Sequence, residues 1–260
     1  MAINKERVLE VEHFTDRLFR IKLTRDKALR FRDGEFLMIG LDHFSEKLQK
    51  NKPIMRAYSV ISPSHQETLE FYSIKVQDGP LTSKFQHIQV GDEVLVNTKS
   101  VGTLITTNVK SGRTLYMMAT GTGIAPFLSL IRGFDIYDDY DNVVLLHGVR
   151  NVKDLSFDDY LTNLNEDEIY KEITQGKFKY YPTVTREDFK NQGRVTDAMY
   201  SGKVQEALGL EEFDKEKDRV MICGSMGMNL ELQEYFEGLG LTEGTMKAPG
   251  EYVLEKAFVD

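Results

Sequence analysis

Pro53-Ile54-Met55-Arg56-Ala57-Tyr58-Ser59-Val60-Ile61-Ser62 contains the most informative residues of this chain. Its Ile, Tyr and Val residues favour a β-strand, and in a strand Arg56 and Tyr58 point to the same face. A guanidinium can clamp a phosphate, and a Tyr ring can lie on a flat heterocycle. The pattern allows two interpretations. One is a site for a planar, phosphate-bearing cofactor such as a flavin nucleotide, with the Ser59 hydroxyl beside the ring; the other is an edge strand with a solvent-facing Arg.

Short strands are predicted on both sides of this segment. Apolar and polar residues alternate over residues 18–23 and 69–76, and residues 93–96 follow the turn Gly91-Asp92. The turn-forming residues that punctuate the run are Gly34, Pro63, Gly79 and Gly91. Several short strands at turn-marked spacing predict an antiparallel β-barrel over residues 1–107, with one short helix that begins near residues 81–83.

The second part of the chain has a different pattern. Strand-like runs occur at residues 114–119, 143–147, 178–181 and 220–223, and they alternate with helical patterns at 124–132, 156–164, 203–207 and 228–239. Alternation of strands and helices predicts a doubly wound, mostly parallel α/β sheet over residues 108–260. We expect the hinge between the two domains at Lys110-Ser111-Gly112.

A glycine-containing turn follows the first strand of this second part. In Thr120-Gly121-Thr122-Gly123, two glycines one residue apart let the backbone approach a ligand closely. The next helix is expected to start near Ala125-Pro126, and a helix N-terminus attracts anions. Position 126 is Pro, so the full G-x-G-x-x-G pattern is absent. The strand–turn–helix context nevertheless favours a pyrophosphate-binding turn over a merely tight turn.

A second candidate phosphate turn is Gly79-Pro80-Leu81-Thr82-Ser83. Its Gly-Pro pair turns the chain, and Thr82 and Ser83 open the predicted short helix. Their N–H and hydroxyl groups could bind another pyrophosphate. An ordinary helix cap is the alternative.

Polar residues follow the predicted parallel strands at their carboxyl ends. Arg150, Thr185, Arg186 and Arg194 could bind a phosphate beyond the pyrophosphate, which would distinguish a phosphorylated dinucleotide from NAD; solvated surface arginines are the alternative. Cys223-Gly224 ends an apolar strand at the same edge, where ligands bind in such sheets. A buried Cys usually only fills the core, and position alone favours that interpretation.

Composition and charge exclude several classes of protein. A hydrophobic fraction of 41% and a charged fraction of 28% are globular values. The net charge of −8 argues against general nucleic-acid binding. A single cysteine excludes an internal disulfide and any four-cysteine cluster, and the five histidines show no metal spacing. Without an apolar run long enough to span a bilayer, we expect a cytoplasmic, monomeric protein with no membrane span.

The charge is unevenly distributed along the chain. Residues 1–60 carry 13 Lys/Arg against 9 Asp/Glu, a net +4, whereas the remainder carries −12. A basic first part on an acidic protein indicates an anionic partner or ligand for that part. Chance clustering is the alternative.

Taken together, these motifs show that the chain resembles the bacterial ferredoxin (flavodoxin)–NADP+ reductases along essentially its whole length. The residues that carry the resemblance are Arg56-Ala57-Tyr58-Ser59, Phe71-Tyr72-Ser73-Ile74-Lys75-Val76, Gly79-Pro80-Leu81-Thr82-Ser83, Gly121-Thr122-Gly123-Ile124-Ala125-Pro126-Phe127, Thr185-Arg186, Cys223-Gly224-Ser225 and Glu255-Lys256-Ala257-Phe258-Val259-Asp260. The Ala-Phe-Val ending is similar to the subgroup whose chain closes over the flavin with a small residue and an aromatic one.

The resemblance implies two cofactors, FAD and NADP(H), and assigns residues to each. The implied FAD site comprises Arg56, Ala57, Tyr58, Ser59, Phe71, Tyr72, Ser73, Gly79, Leu81, Thr82, Ser83, Ala257 and Phe258. The implied NADP site comprises Thr120, Gly121, Thr122, Gly123, Arg150, Thr185, Arg186, Arg194, Cys223 and Gly224. The implied catalytic residues are Ser59, Cys223 and Glu255, which would position the nicotinamide and stabilise charge rather than act as nucleophiles.

The resemblance also implies a function, electron transfer between NADPH and ferredoxin or flavodoxin. Hydride passes between nicotinamide and flavin, and electrons pass singly between flavin and the acceptor protein, which is generally acidic in this family. Two alternatives remain open at this point. One is an NAD(P)H-dependent flavin or cytochrome reductase on the same scaffold. The other is an FAD-binding electron-transfer subunit of a larger complex, although the known example carries clustered cysteines.

Overall fold

The first sheet in the computed structural model, which describes residues 2–45, 49–76 and 78–256, is antiparallel. Its six strands within the described residues are β1 (Ile3–His13), β2 (Leu18–Leu23), β3 (Phe36–Leu41), β6 (Ile54–Ser59), β7 (Leu69–Ile74) and β8 (Glu93–Asn97), in the order β6-β3-β8-β1-β2-β7. A small antiparallel pair, β4 (Phe44–Ser45) and β5 (Lys50–Asn51), and one short helix, α1 (Thr82–Phe85), accompany it.

This sheet curls until its two edges nearly meet. Val60, directly after β6, forms an antiparallel bridge with Phe71 of β7, and the Ile61 N–H donates to the Glu70 carbonyl at 2.9 Å. The interior is filled by alternate residues of the strands together with Phe85 of α1. Because inward-facing apolar residues alternate with outward-facing polar ones, the sheet closes around a single core. The predicted antiparallel barrel is confirmed.

The second sheet is parallel throughout. Within the described residues its strands are β9 (Thr114–Thr120), β10 (Asn142–Val149), β11 (Phe178–Val184), β12 (Arg219–Gly224) and β13 (Tyr252–Lys256), in the order β11-β10-β9-β12-β13. The helices are α2 (Ala125–Arg132), α3 (Ile136–Asp139), α4 (Asp158–Thr162), α5 (Tyr170–Thr174), α6 (Val195–Tyr200), α7 (Lys203–Leu208) and α8 (Met226–Gly238). Short 3₁₀ turns cover Thr106–Asn108, Gly121–Ile124, Val152–Asp154 and Leu164–Glu166.

Helices cover both faces of this sheet, and each face has its own core. One core contains Met117 of β9 and Met221 of β12 together with α2, whereas the other contains Tyr116 and Val220 with α6 and α8. Successive residues of each strand thus enter opposite cores, as the period of two in a strand requires. The predicted doubly wound sheet is confirmed.

The barrel and the parallel sheet share one of these cores. Leu18, Ile61 and Tyr72 of the barrel side pack in the same cluster as α2. At its edge, the Asp33 carboxylate accepts hydrogen bonds from the Ser64 N–H at 2.5 Å and the Ser129 hydroxyl of α2 at 3.2 Å. This shared core fixes the cleft between the two sheets. No helix in the described part of the chain is long and apolar enough to cross a membrane.

Candidate functional site

A cavity of about 550 Å³ lies where the carboxyl ends of the parallel strands face the barrel. Ligands bind at this edge in doubly wound sheets, because the loops after the strands open there. Six of the predicted binding residues line it: Thr120, Gly121, Thr122, Arg150, Thr185 and Arg194. Arg17, Leu18 and Ile74 close the cavity from the barrel side. The cavity therefore belongs to both halves of the chain.

The turn after β9 is packed against the end of β12. A Cβ added to Gly123 would lie 2.2 Å from the Cys223 carbonyl oxygen, so only glycine allows this approach. A Cβ on Gly224 would lie 2.3 Å from Thr120 Oγ1, which accepts the Ser225 N–H at 2.9 Å. Gly123 and Gly224 thus lie behind the cavity wall and permit its close packing. Their role in binding NADP stays a prediction.

The predicted phosphate-binding arginines are exposed at the rim of the cavity. Arg150 and Arg194 line it, and Arg194 forms an ion pair with Glu231 of α8. Arg186 is exposed on the loop after β11, outside the lining, and its N–H donates to the Arg150 carbonyl at 3.0 Å. Arg150 and Arg194, together with Thr185, therefore contribute to the lining of the cavity.

Two of the predicted catalytic residues lie on neighbouring strands. Cys223 of β12 and Glu255 of β13 are register partners in the parallel sheet. Cys223 is 1% exposed and belongs to the core beside Ala119 and Ile124, and burial, followed by the Glu255 carboxylate, raises the pKa of its thiol. The thiol is therefore neutral near pH 7 and is no nucleophile.

Glu255 and its strand are held by two other parts of the chain, the segment at Thr103 and helix α8. Its Oε2 accepts the Thr103 N–H at 3.1 Å, its main-chain carbonyl accepts from Asn229 Nδ2 at 2.9 Å, and the Thr103 hydroxyl donates to the Leu254 carbonyl at 2.8 Å. Burial raises the pKa of the Glu255 carboxyl to about 7, although the Thr103 and Leu104 N–H groups oppose the shift. Glu255 can therefore hold or release a proton near neutral pH.

The third predicted catalytic residue, Ser59, lies at the end of β6 beside Phe36 of β3. On the same strand, Arg56 and Ala57 are exposed, and Tyr58 is half-buried. The Tyr58 ring packs edge-on against Phe71 and Phe85 of the barrel core, with centroids 6.4 and 5.9 Å away. The Ser73 hydroxyl donates to the Tyr58 oxygen at 3.5 Å. The core of the barrel thus fixes the Tyr58 ring at the barrel surface.

Other residues of the predicted flavin site have side chains that pack in the hydrophobic cores. Phe71 and Leu81 are fully buried in the barrel core. Tyr72 lies in the core shared with the parallel sheet, where its hydroxyl is 2.8 Å from Ser156 Oγ. A ligand could therefore meet Phe71, Tyr72 and Leu81 only at the main chain.

The turn before α1 is tightly closed by its own hydrogen bonds. The Thr82 hydroxyl donates to the Val76 carbonyl at 3.0 Å, and the Ser83 N–H donates to the Gly79 carbonyl at 3.1 Å. A Cβ on Gly79 would lie 2.2 Å from Thr82 Oγ1, so the turn requires glycine. Of the donors predicted here, the Ser83 N–H and the Thr82 hydroxyl are already engaged. Ala257 and Phe258, also predicted for this site, lie outside the described residues.

Sequence reasoning missed several residues of the cavity. Ser225, Met228 and Thr196 line it, and so does Arg17 from the barrel side. Ser225 caps α8, and its side chain accepts the Met228 N–H at 3.3 Å. A Ser directly after an apolar strand and before a helical pattern is a recognisable signal for such a cap. Nothing in the sequence around Arg17 indicates that it lines the cavity, because its position there depends on how the two sheets pack.

Within residues 2–45, 49–76 and 78–256, no group of three or more His, Cys, Asp or Glu side chains is arranged to hold a metal ion. The exposed arginines and the backbone turn suit phosphate groups, and the fixed Tyr58 ring suits a planar group.

Two families match the two halves of the chain. The profile described as "Oxidoreductase FAD-binding domain" matches residues 8–103, and the one described as "Oxidoreductase NAD-binding domain" matches residues 117–233.

Full-length relatives are similar as well. The chain is 49% identical to a ferredoxin–NADP reductase of Azotobacter vinelandii over 260 residues, 99% of this chain and 98% of that protein. It is 50% identical to a flavodoxin/ferredoxin–NADP reductase of Rhodobacter capsulatus over 254 residues, 97% of this chain and 92% of that protein. The crystal structure of a ferredoxin NADP+ reductase from Neisseria gonorrhoeae with bound FAD and NADP superposes with a TM-score of 0.88 at 30% identity, covering 99% of this chain and 100% of that one.

Proposed function

The chain belongs to the ferredoxin–NADP reductase family and is an FAD- and NAD(P)-binding oxidoreductase, and from this premise we propose that it transfers electrons between NADPH and ferredoxin or flavodoxin. The observation that carries the proposal is the cavity of about 550 Å³ between the two sheets, which joins a dinucleotide-type turn to a pair of arginines. A reductase of the same scaffold that uses NADH would not need arginines for an extra phosphate.

The residues of the cavity fit NADP(H). The Gly121–Ile124 turn opens α2, so its N–H groups face an anion as a helix N-terminus does, and it would hold the diphosphate. Arg150, Thr185 and Arg194 at the rim would hold the adenosine phosphate, with Arg186 on the same loop in reach of it. Thr120, Thr122, Gly123 and Gly224 would shape the wall between these groups and the end of β12.

The barrel surface fits FAD. Tyr58, fixed edge-on by the core, would lie against the flavin ring, and the exposed Arg56 would bind the FAD pyrophosphate. Ala57 and the main chain of β7 at Phe71, Tyr72 and Ser73 would border the ring. We propose the Gly79–Ser83 turn, with Leu81 and Thr82, as a second contact to the pyrophosphate, made by the Ser83 hydroxyl.

FAD, when bound, exchanges a hydride with NADPH and single electrons with the acceptor protein. The residues of this chain would position the reacting groups and hold a proton beside them. The Ser59 hydroxyl would hydrogen-bond near the flavin edge, and the Glu255 carboxyl, whose pKa burial raises to about 7, would hold a proton at Oε1 or Oε2. The neutral Cys223 thiol would border the nicotinamide and exclude water, because its surroundings are apolar. Ala257 and Phe258 complete the proposed flavin site.

The domain boundary, the docking of the partner protein, the oligomeric state and the cellular location are also proposals. We place the boundary between the FAD and NADP domains at residues 107 and 108, in the 3₁₀ turn Thr106–Asn108 that lies between the last barrel strand and β9. The net +4 of residues 1–60 supports docking of an acidic ferredoxin or flavodoxin on the barrel half. We also propose a cytoplasmic monomer, which light scattering of the purified protein can test.

The experiment that tests the function is steady-state turnover of the purified chain with NADPH or NADH and with ferredoxin, flavodoxin or cytochrome as acceptor. The proposal predicts NADPH-dependent reduction of ferredoxin or flavodoxin by the isolated chain. Preference for NADH with no ferredoxin or flavodoxin reduction would favour a flavin or cytochrome reductase. Turnover only in the presence of another subunit would favour an electron-transfer subunit.

A further inference from the structure

His147 is a buried side chain that the proposed electron transfer does not use. It lies on β10 and is 1% exposed, with Ala119 of β9 and Pro182 of β11 as register partners. Buried polar groups in folded proteins are hydrogen-bonded, and His147 Nε2 lies 2.9 Å from the Gly121 carbonyl oxygen. The imidazole therefore connects β10 to the turn that follows β9.

The partners of His147 settle where its proton lies. A carbonyl oxygen only accepts hydrogen bonds, so Nε2 carries the hydrogen. Burial lowers the pKa of His147 to about 4, so the ring is neutral at neutral pH and Nδ1 accepts. The Tyr180 hydroxyl lies 3.5 Å from Nδ1, and burial raises its pKa, so it keeps its proton and can donate. A directed chain of donors thus runs from Tyr180 through His147 to Gly121.

This hydrogen bond fixes a peptide plane in the wall of the cavity. Gly121 has a φ of 54°, in the left-handed region, and an added Cβ there would meet nothing within 4 Å, so no side chain packs against the turn on that side. In a trans peptide the carbonyl and the following N–H point in opposite directions. With the Gly121 oxygen drawn toward the buried imidazole, the Thr122 N–H points away from it, toward the open side where Thr122 lines the cavity.

We propose that His147 is a positioning residue for NADP(H): its Nε2–H holds the Gly121 carbonyl and thereby aims the Thr122 N–H at the diphosphate. The inference rests on the proposed function, since it takes NADP(H) as the occupant of the cavity. The arginines at the rim act on the other phosphate of the dinucleotide, so the two contributions can be measured separately.

The test compares His147→Gln with His147→Asn in the full-length, FAD-loaded protein. The Gln amide reaches the place of Nε2 and keeps the donor, whereas the Asn amide reaches only the place of Nδ1. In calorimetric titrations with NADP+, the dissociation constant should rise about tenfold in His147→Asn and stay within about twofold of the parent in His147→Gln. The matched ligand 2′-AMP has the 2′-phosphate but no diphosphate, so it should bind all three proteins equally.

Equal NADP+ dissociation constants in the parent and both variants would overturn the inference, and so would a loss of 2′-AMP binding that parallels the loss of NADP+. A parent protein that binds neither ligand would instead overturn the proposed function. If neither amide variant folds, Tyr180→Phe tests the inference instead, because it removes only the hydroxyl that donates to His147 Nδ1. Its NADP+ dissociation constant should rise about threefold with 2′-AMP binding unchanged, and an unchanged NADP+ constant would overturn the inference.

Discussion

Cys223 and Glu255 are register partners on adjacent parallel strands, so the only thiol of the chain lies beside a carboxyl whose pKa burial raises to about 7. The strand of Glu255 is anchored to the segment that leaves the barrel, because Oε2 accepts the Thr103 N–H. A group that can change its protonation near neutral pH therefore lies at the junction of the two sheets. We therefore expect the stability of the protein to depend on pH in this range.

The raised pKa of Glu255 predicts a pH dependence of stability. The folded protein holds this proton more tightly than the unfolded chain, so the free energy of unfolding falls as pH rises from the unfolded pKa, about 4.5, to the folded pKa of about 7. Glu255→Gln removes the titration and should be relatively more stable than the parent at about pH 8, by up to about 3 kcal/mol. Urea unfolding of both proteins at about pH 5 and pH 8 measures this difference. A parent-to-variant difference that is the same at both pH values would contradict the assignment.

Ser59 and Cys223 should affect flavin reduction and leave FAD binding intact. In Ser59→Ala and Cys223→Ala, we expect stopped-flow reduction by NADPH to slow by about tenfold each, equivalent to about 1.4 kcal/mol in the barrier. FAD content, read from the visible spectrum, should stay full, because neither side chain is proposed to hold the pyrophosphate. If the rates match the parent, Cys223 serves packing alone.

The ion pair between Arg194 and Glu231 predicts opposite effects of two substitutions. Arg194→Ala removes the proposed charge-assisted phosphate contact, worth about 1.5–3 kcal/mol, and should weaken NADPH binding roughly ten- to a hundredfold. Glu231→Gln frees the guanidinium and should tighten NADPH binding about two- to threefold. NADH, which lacks the phosphate, is the control ligand and should be unaffected by both. Parallel changes for NADPH and NADH would place the phosphate elsewhere.

Two glycines with positive φ should tolerate alanine very differently. Gly34 has a φ of 90°, and an added Cβ would lie 1.8 Å from the Leu104 carbonyl oxygen. Gly209 has a φ of 64° but open space around the added Cβ. We expect Gly209→Ala to cost about 1 kcal/mol, from the left-handed backbone alone, and Gly34→Ala at least about 3 kcal/mol. Equal losses in thermal unfolding would show that Gly34 does not pack against Leu104 in solution.

Much of the fold could be predicted from local pattern. Residues 53–62 were predicted to form a strand, and β6 lies within them. The alternation of strand-like and helical patterns after residue 113 predicted four of the five parallel strands found in the described residues. The fifth strand, β13, was missed because Tyr252-Val253-Leu254 is too short an apolar run to be told from a loop. β1 was missed as well, since a buried Glu6 and the exposed apolar residues Ile3 and Leu9 break the usual alternation of apolar and polar positions.

The site was only partly predictable, for a physical reason. Thr120 and Gly121 could be predicted from the glycine-containing turn to which they belong. Arg194 could be predicted from its place after a parallel strand. Arg17 reaches the cavity only through the packing of the barrel on the sheet. His147 was visible as a polar residue inside an apolar strand, but its partner, a carbonyl in a different loop, could be found only in three dimensions.

The measurement that tests the central claim most directly is anaerobic stopped-flow reduction of the FAD-loaded protein, first by NADPH and NADH, then with ferredoxin or flavodoxin added. Our account predicts faster flavin reduction at limiting NADPH than at equal NADH, followed by electron transfer to the acceptor protein. It also predicts that the preference falls in Arg194→Ala, roughly ten- to a hundredfold. Equal reduction by the two nucleotides in the parent, or a reduced flavin that passes no electrons to ferredoxin or flavodoxin, would contradict it.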